Sequence, residues 1–292
     1  MFFYSNANMQ DFVPKLKKHL LPRIYRSLLE EVEACPADEV DSARVQLLKA
    51  MVKSSGGDPN FFDTPEAQLD AEQIFLHSDR LYEHNVLHIN YTSYDVRRET
   101  DIVNPKTSRR HVMCLREDED EEDGDTDSDE GRGASTTTSP PPTPPPSHRF
   151  LHARVLAIFH TNIVYRGRGS SDLRRRRFDL LFVRWFTFAD PHPVHQSLDR
   201  LVIAPLSCAD AVGFLNPANV LRASHIIPRY SLGPLRPTAQ SSDRLYPDKR
   251  GSDPIVSKQA KDWEDWCEYY SNPYAISSAF SVAPADVGDQ FR

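Results

Sequence analysis

With 292 residues, 39% of them hydrophobic, the chain can bury one sizeable core with a helical annex. Its formal charge of −7 misleads, because eleven of the 42 acids fall between Glu117 and Glu130 and the remaining 31 face 35 bases. A uniformly acidic protein is thereby excluded, and the mildly basic remainder permits a nucleic-acid partner without requiring one. Cys35, Cys114, Cys208 and Cys267 lie far apart with no CxxC, and Met1 to Asn6 leads into no sustained apolar stretch. Free thiols in a nuclear, or otherwise cytoplasmic, protein are the expectation. No apolar run reaches membrane-spanning length, so no membrane partner is expected.

Residues 11 to 53 read as two helices. Val13, Leu16, Leu20, Ile24 and Leu28 recur at three- and four-residue intervals across Pro22, and Val45, Leu48 and Val52 repeat after Asp41 or Ser42. Lys15, Lys17, Lys18, His19 and Arg23 could form a basic helical face or a solvated one. Gly56 to Asp70 reads as a Gly/Pro/Asp linker, and Ile74 to Tyr82 is ambiguous between helix and strand. Val86 to Tyr94 alternates as a strand. Glu117 to Ser147 combines the acidic block with Ser135 to Ser139 and the proline run Pro140 to Pro146; it is expected to be a disordered insertion, with the prolines in polyproline II.

Beyond it stand two apolar strand-length runs, His152 to Phe159 and Phe178 to Phe188, joined by a Gly/Ser turn and a basic run. Leu181, Val183 and Trp185 fall on one face, with Leu180, Phe182, Phe186 and Phe188 on the other. Apolar residues on both faces place this pair at the centre of a closed or sandwiched sheet. A short strand at Arg200 to Ala204, a short helix opening at Asn216-Pro217, a polar loop from Arg236 to Ser257 and a last element at Trp263 to Tyr270 follow.

Clustered guanidiniums bind phosphate or carboxylate through planar forks of donors, so Arg166, Arg168, Arg174, Arg175, Arg176 and Arg177 are the candidate nucleic-acid contacts. Holding the acidic tract, or simple solvation, are the competing roles. Tyr165, Trp185 and Phe186, with Tyr91, Tyr94, Trp263 and Trp266, are candidate aromatic contacts or core residues. Pro140 to Pro146 suits an SH3- or WW-type groove. Asp95, Asp179 and Asp199 lie near strand ends, and Ser207-Cys208 is the nearest thing to a nucleophile; no phosphate loop or nucleophile elbow accompanies them. His84 with His88, and His192 with His195, lack a second ligand pair, so neither metal nor cofactor is expected.

Leu87-His-Ile-Asn-Tyr-Thr-Ser-Tyr-Asp-Val-Arg-Arg-Glu-Thr-Asp-Ile-Val-Asn-Pro105 resembles a segment near the C-terminal end of fungal transposable-element proteins of the Plavaka type, in the Kyakuja–Dileera–Zisupton transposase group. Phe12 to Leu20, Ala153 to His160, Phe182 to Phe186, Gly213 to Pro217, Val220 to Arg222 and His225 to Pro228 follow the same family region in order, and Trp266 to Asn272 keeps its Trp-x-x-Tyr-Tyr-x-Asn outline. Ala275 to Arg292 departs from it. In that family an RNase H-like core precedes this region, and nothing in the chain resembles that core; the resemblance therefore implies a non-catalytic accessory module. Ala153-Arg-Val-Leu-Ala-Ile-Phe159 and Val183-Arg-Trp-Phe186 are also similar to two strands of bromo-adjacent homology (BAH) modules, small distorted β-barrels that bind chromatin.

The expected architecture is α+β: N-terminal helices over residues 1–56 lead into a small antiparallel β-barrel-like module over 72–115 and 149–272. A long disordered insertion occupies 116–148 and an irregular tail 273–292. The expected function is non-catalytic binding of DNA or chromatin, with a protein-interaction module or a remnant without function as the alternatives.

Overall fold

A computed structural model describes residues 11–35, 41–57, 60–92, 97–115, 150–189, 198–235 and 264–271. The acidic and proline-rich insertion, Tyr94, Asp95, His192, His195, Trp263 and the tail lie outside the described residues. Helix α1 (Phe12–Glu33) buries Phe12, Leu16, Leu20, Leu21, Ile24, Tyr25, Leu28 and Val32, so one stripe at helical spacing faces inwards. Pro22 removes one backbone donor inside it, but Leu20, Leu21 and Ile24 around it are fully buried and hold the helix on its course. Helix α2 (Ser42–Gly57) adds Leu48 and Met51 to the same core.

The stretch read as a linker is ordered. A 3-10 turn at Phe61–Asp63 leads into helix α3 (Pro65–Glu72), whose N-cap Thr64 accepts from the Ala67 amide at 3.3 Å. Thr-Pro-Glu supplies a cap, a proline already set for the first turn and a carboxylate at the positive end. Those three signals outweigh the loop-like composition around them. The ambiguous run after α3 resolves into β1 (Ile74–Leu76) and β2 (Tyr82–His84), separated by a 3-10 turn.

The remaining strands are β3 (Leu87–Thr92), β4 (Arg98–Val103), β5 (His111–Leu115), β6 (Phe150–Tyr165), β7 (Arg176–Phe188), β8 (Asp199–Ile203), β9 (Val212–Leu215), β10 (Val220–Ala223), β11 (Ile226–Pro228) and β12 (Tyr269–Ser271). The two apolar runs expected to be central are β6 and β7, and both extend past the lengths read from the sequence. They pair antiparallel from Ala153↔Trp185 to Ile163↔Arg176, with a bulge between Val155 and Ala157. The outer edge of β6 is shared by β1, β2 and β5, and that of β7 by β9 and β8. The sheet runs β10-β5-β6-β7-β8-β12-β11, a half-barrel whose first and last strands are joined through Ser224 and His225.

Both faces of the β6–β7 pair are covered, as their two apolar faces require. On one, Phe159, Ile163, Tyr165, Phe178, Leu180 and Phe182 pack against the helices. On the other, Ala153, Val155, Ile158, Leu181 and Val183 pack against Leu87, Ile89 and Val103 of the separate β3–β4 ribbon. Arg222 pins that ribbon, reaching Asp101 at 3.0 Å and stacking 3.6 Å from the Tyr91 ring centroid. Past the middle of β7, Phe186 joins a third, smaller cluster with Leu201, Ile203, Ile226 and Tyr269.

Candidate functional site: two arginine clusters on one hairpin

The candidate arginines crowd the connection between β6 and β7, which folds back over Tyr165. A Cβ on Gly167 would stand 2.2 Å from the Tyr165 hydroxyl, so only glycine allows this approach. Ser170 Oγ donates to the Tyr165 carbonyl at 3.1 Å, and Arg44 Nε donates to the Gly169 carbonyl at 2.9 Å. The loop is thereby fastened to α2, and the arginines are held by neighbouring acids. Arg168 gives its amide and Nε to Asp70, a buried carboxylate that also accepts from the Tyr25 hydroxyl at 2.7 Å. Burial, followed by that hydrogen bond, raises the Tyr25 phenol.

Arg176 is buried and grips both oxygens of Glu31, at 2.9 and 2.8 Å, as well as Asp172 at 2.8 Å. Arg174 reaches Glu31 at 2.5 Å, and Arg177 reaches Asp179 at 3.0 Å. Burial would raise the Glu31 carboxyl, but hydrogen bonds from Arg176 and Arg174 outweigh it and hold the group below its usual range. Arg166 lies over Phe75, 5.1 Å from the ring centroid, and Arg175 is exposed; neither makes an ion pair among the described residues. The side chains of Arg168, Arg174 and Arg177 remain 44%, 55% and 49% exposed.

The aromatic candidates do not converge. Tyr165 is fully buried in the helical core, Phe186 is buried in the third cluster and Trp185 is half-buried against the ribbon-side core. Tyr165 ends β6 twelve positions beyond Ala153, the partner of Trp185, which at ~3.3 Å per residue is about 40 Å away. Asp179 pairs with His160 near the tip, whereas Asp199 pairs with Ser271 beyond the opposite end of β7. No group of three His, Cys, Asp or Glu able to hold a metal occurs among the described residues. His84 Nε2 meets His160 Nδ1 at 2.6 Å rather than His88, which pairs across the ribbon with Ile102. The basic residues of α1 form no uniform outward face. Lys15 Nζ reaches the Val212 carbonyl and Arg23 the Asp179 carbonyl, while burial and then Arg23 push His19 down to about 3.

The arginines that the sequence reading passed over are Arg154 and Arg184. They sit directly opposite each other on β6 and β7, both buried, where like charges repel. Asp265 lies between them, its Oδ1 accepting from Arg154 Nη1 and its Oδ2 from Arg184 Nη1, each at 2.6 Å. Arg184 spends Nε and Nη2 on the Ala204 carbonyl, and Arg154 Nη2 donates to the Tyr269 hydroxyl at 3.0 Å. His111 is buried alongside; burial, then Arg154 and Arg110, push it well below its ordinary value, so its ring is neutral. The available signal was a lone arginine between apolar neighbours inside each strand, Ala153-Arg-Val and Val183-Arg-Trp, which a buried acid must accompany. No protein-family model, no curated protein and no solved structure matches the chain.

Proposed function

We propose that this chain is a non-catalytic, nuclear accessory module that binds nucleic acid through its backbone phosphates, derived from a transposable-element protein of the kind its sequence resembles. The observation that carries this reading is the charge at the β6–β7 tip. Arg168, Arg174, Arg176 and Arg177 pair with four carboxylates, Glu31, Asp70, Asp172 and Asp179, while Arg166 and Arg175 make no ion pair among the described residues, so six guanidiniums meet four acids at the tip. Guanidinium forks suit phosphate oxygens, and such contacts position a protein without reading sequence. The test is fluorescence anisotropy on duplex DNA across a salt series, with the whole chain and with a chain lacking residues 117–130. Each phosphate that an exposed guanidinium of the tip neutralises contributes about −0.9 to the expected slope of log affinity against log salt, and removal of the acidic tract should tighten binding. Absence of salt-sensitive binding by either chain overturns the reading.

A second reading, a protein-interaction module, is favoured by the engagement of Arg168, Arg174, Arg176 and Arg177 with carboxylates of the same chain. In that case deleting residues 117–147, with the proline run, abolishes capture of an SH3- or WW-type partner and leaves DNA binding intact or stronger.

A further inference from the structure

Residues 264–271 are bound by the rest of the chain much as a peptide is bound by a receptor. The backbone of this segment pairs with Leu201, Arg200 and Asp199 of β8 on one side and with Pro228, Ile227 and Ile226 of β11 on the other, and continues past β11 through a bridge from Trp266 to Pro234 and hydrogen bonds with Arg229, Gly233 and Leu235. Its side chains, in contrast, are nearly all read individually. Glu264 pairs with Arg110, and Asp265 fills the space between Arg154 and Arg184. Trp266 stands edge-on to Tyr230 with centroids 4.9 Å apart, and Glu268 reaches Arg229 at 2.7 Å and Arg200 at 3.7 Å. The Tyr269 ring packs on Phe186 at 5.2 Å while its hydroxyl takes the Arg154 hydrogen bond. Ser271 Oγ lies 3.4 Å from His152 Nε2.

Charge complementarity is pronounced: Arg110, Arg154, Arg184, Arg200 and Arg229 surround three acids within eight residues. The two larger cores contain no residue of this segment, and only the small cluster around Phe186 depends on it. The two larger cores are therefore complete without this segment, which closes the third cluster and supplies the counter-charge of Arg154 and Arg184. Residues 236–263 separate it from Leu235, the preceding described position.

We propose that the slot between β8 and β11 is a recognition site for an acidic, aromatic peptide strand, and that residues 264–271 occupy it as a ligand supplied by the chain itself. Recognition combines strand addition, which gives affinity through main-chain bonds, with a carboxylate clamp. The clamp reads an aspartate followed four residues later by a tyrosine, because Arg154 touches both groups. This inference is independent of nucleic-acid binding, which uses the opposite end of the hairpin.

The experiment starts from the full chain carrying a protease site within residues 236–263. After cleavage and removal of the released C-terminal fragment, a fluorescent synthetic peptide with the sequence of residues 264–271 is offered, and circular dichroism reports the fold. The expected result is saturable uptake by the cleaved chain with its fold retained. The same peptide carrying Asp265→Asn should bind at least about thirtyfold more weakly, the loss typical of removing one partner of a buried charge pair. The uncut chain, its slot filled in cis, should take up the peptide far less. The proposal is overturned if the cleaved chain takes up no peptide, if the Asn peptide binds equally well, or if cut and uncut chains bind alike. Irreversible unfolding on loss of the segment overturns it too, since the segment would then be part of the core.

Discussion

Both ends of the β6–β7 hairpin carry arginines, and they use them in opposite ways. At the tip, Arg168, Arg174 and Arg177 are half-exposed, and each pairs with carboxylates beside it: Asp70 for Arg168, Glu31 and Asp172 for Arg174, and Asp179 for Arg177. At the far end, Arg154 and Arg184 are almost wholly removed from water and share a single carboxylate, Asp265. Water and salt screen the first arrangement, so its pairs contribute little to folding and its guanidiniums can exchange one anion for another. No solvent compensates the second, so it tolerates only the right partner. Abundance of arginine marks a surface; an isolated arginine in an apolar strand marks a fixed internal partner.

The sharpest way to break this comparison is Asp265→Ala. It leaves two buried guanidiniums facing each other without a counter-charge, and destabilisation of about 3–5 kcal/mol is expected in urea unfolding. Arg154→Met should cost less, because Arg184 keeps Asp265 as its partner. A loss no greater than that of a surface pair would mean that the cluster is not desolvated.

Part of this contrast was legible in the sequence. The two central strands, their apolar faces and the pair of N-terminal helices follow from spacing alone, and α3 was signalled by Thr64-Pro65-Glu66 although the Gly/Pro/Asp surroundings concealed it. The tip arginines were visible as a run, but their partners were not. Glu31 lies on α1, 145 positions from Arg176, and Asp70 lies on α3, 98 positions from Arg168. The Arg154–Asp265 pair spans 111 positions. Periodicity reports which face a residue takes, not what will stand opposite it, so long-range ion pairs emerge only with the fold.

Two smaller effects sharpen the comparison at each end. Gly167→Ala places a methyl group where the buried Tyr165 ring stands, and a cost of about 1–3 kcal/mol is expected from overpacking. A cost near zero in thermal unfolding would show the tip to be loosely held. At the other end, His111 is neutral in the fold because burial and nearby arginines lower its pKa well below 6.5. The unfolded chain therefore binds the extra proton, and the stability contributed by the neutral ring is lost as pH falls below the unfolded value. Between pH 6.5 and 5, His111→Phe should reduce the pH dependence of stability relative to the native chain by a slope that rises to about 1.4 kcal/mol per pH unit at the acid end. That window lies above the range in which protonation of Glu31 would weaken the tip. Parallel stability curves for the two chains would mean that His111 is charged or exposed in the fold.

The smallest effect on stability belongs to the change with the largest expected effect on binding. Arg174→Ala, Arg175→Ala and Arg177→Ala together remove exposed guanidiniums, and since such pairs are screened the summed cost should stay under about 1 kcal/mol. Each guanidinium withdrawn from a phosphate should flatten the salt dependence of DNA binding by about 0.9 in slope. Arg176→Ala supplies the control: buried and held by both oxygens of Glu31, this residue should cost stability while leaving that slope nearly unchanged. If the triple variant unfolds as readily as Arg176→Ala, the tip is a staple between α1 and the sheet, and its charge is spent on the fold. If stability holds and the salt slope falls, the same loop is a surface that happens to be fastened down, and the division of labour along the hairpin stands.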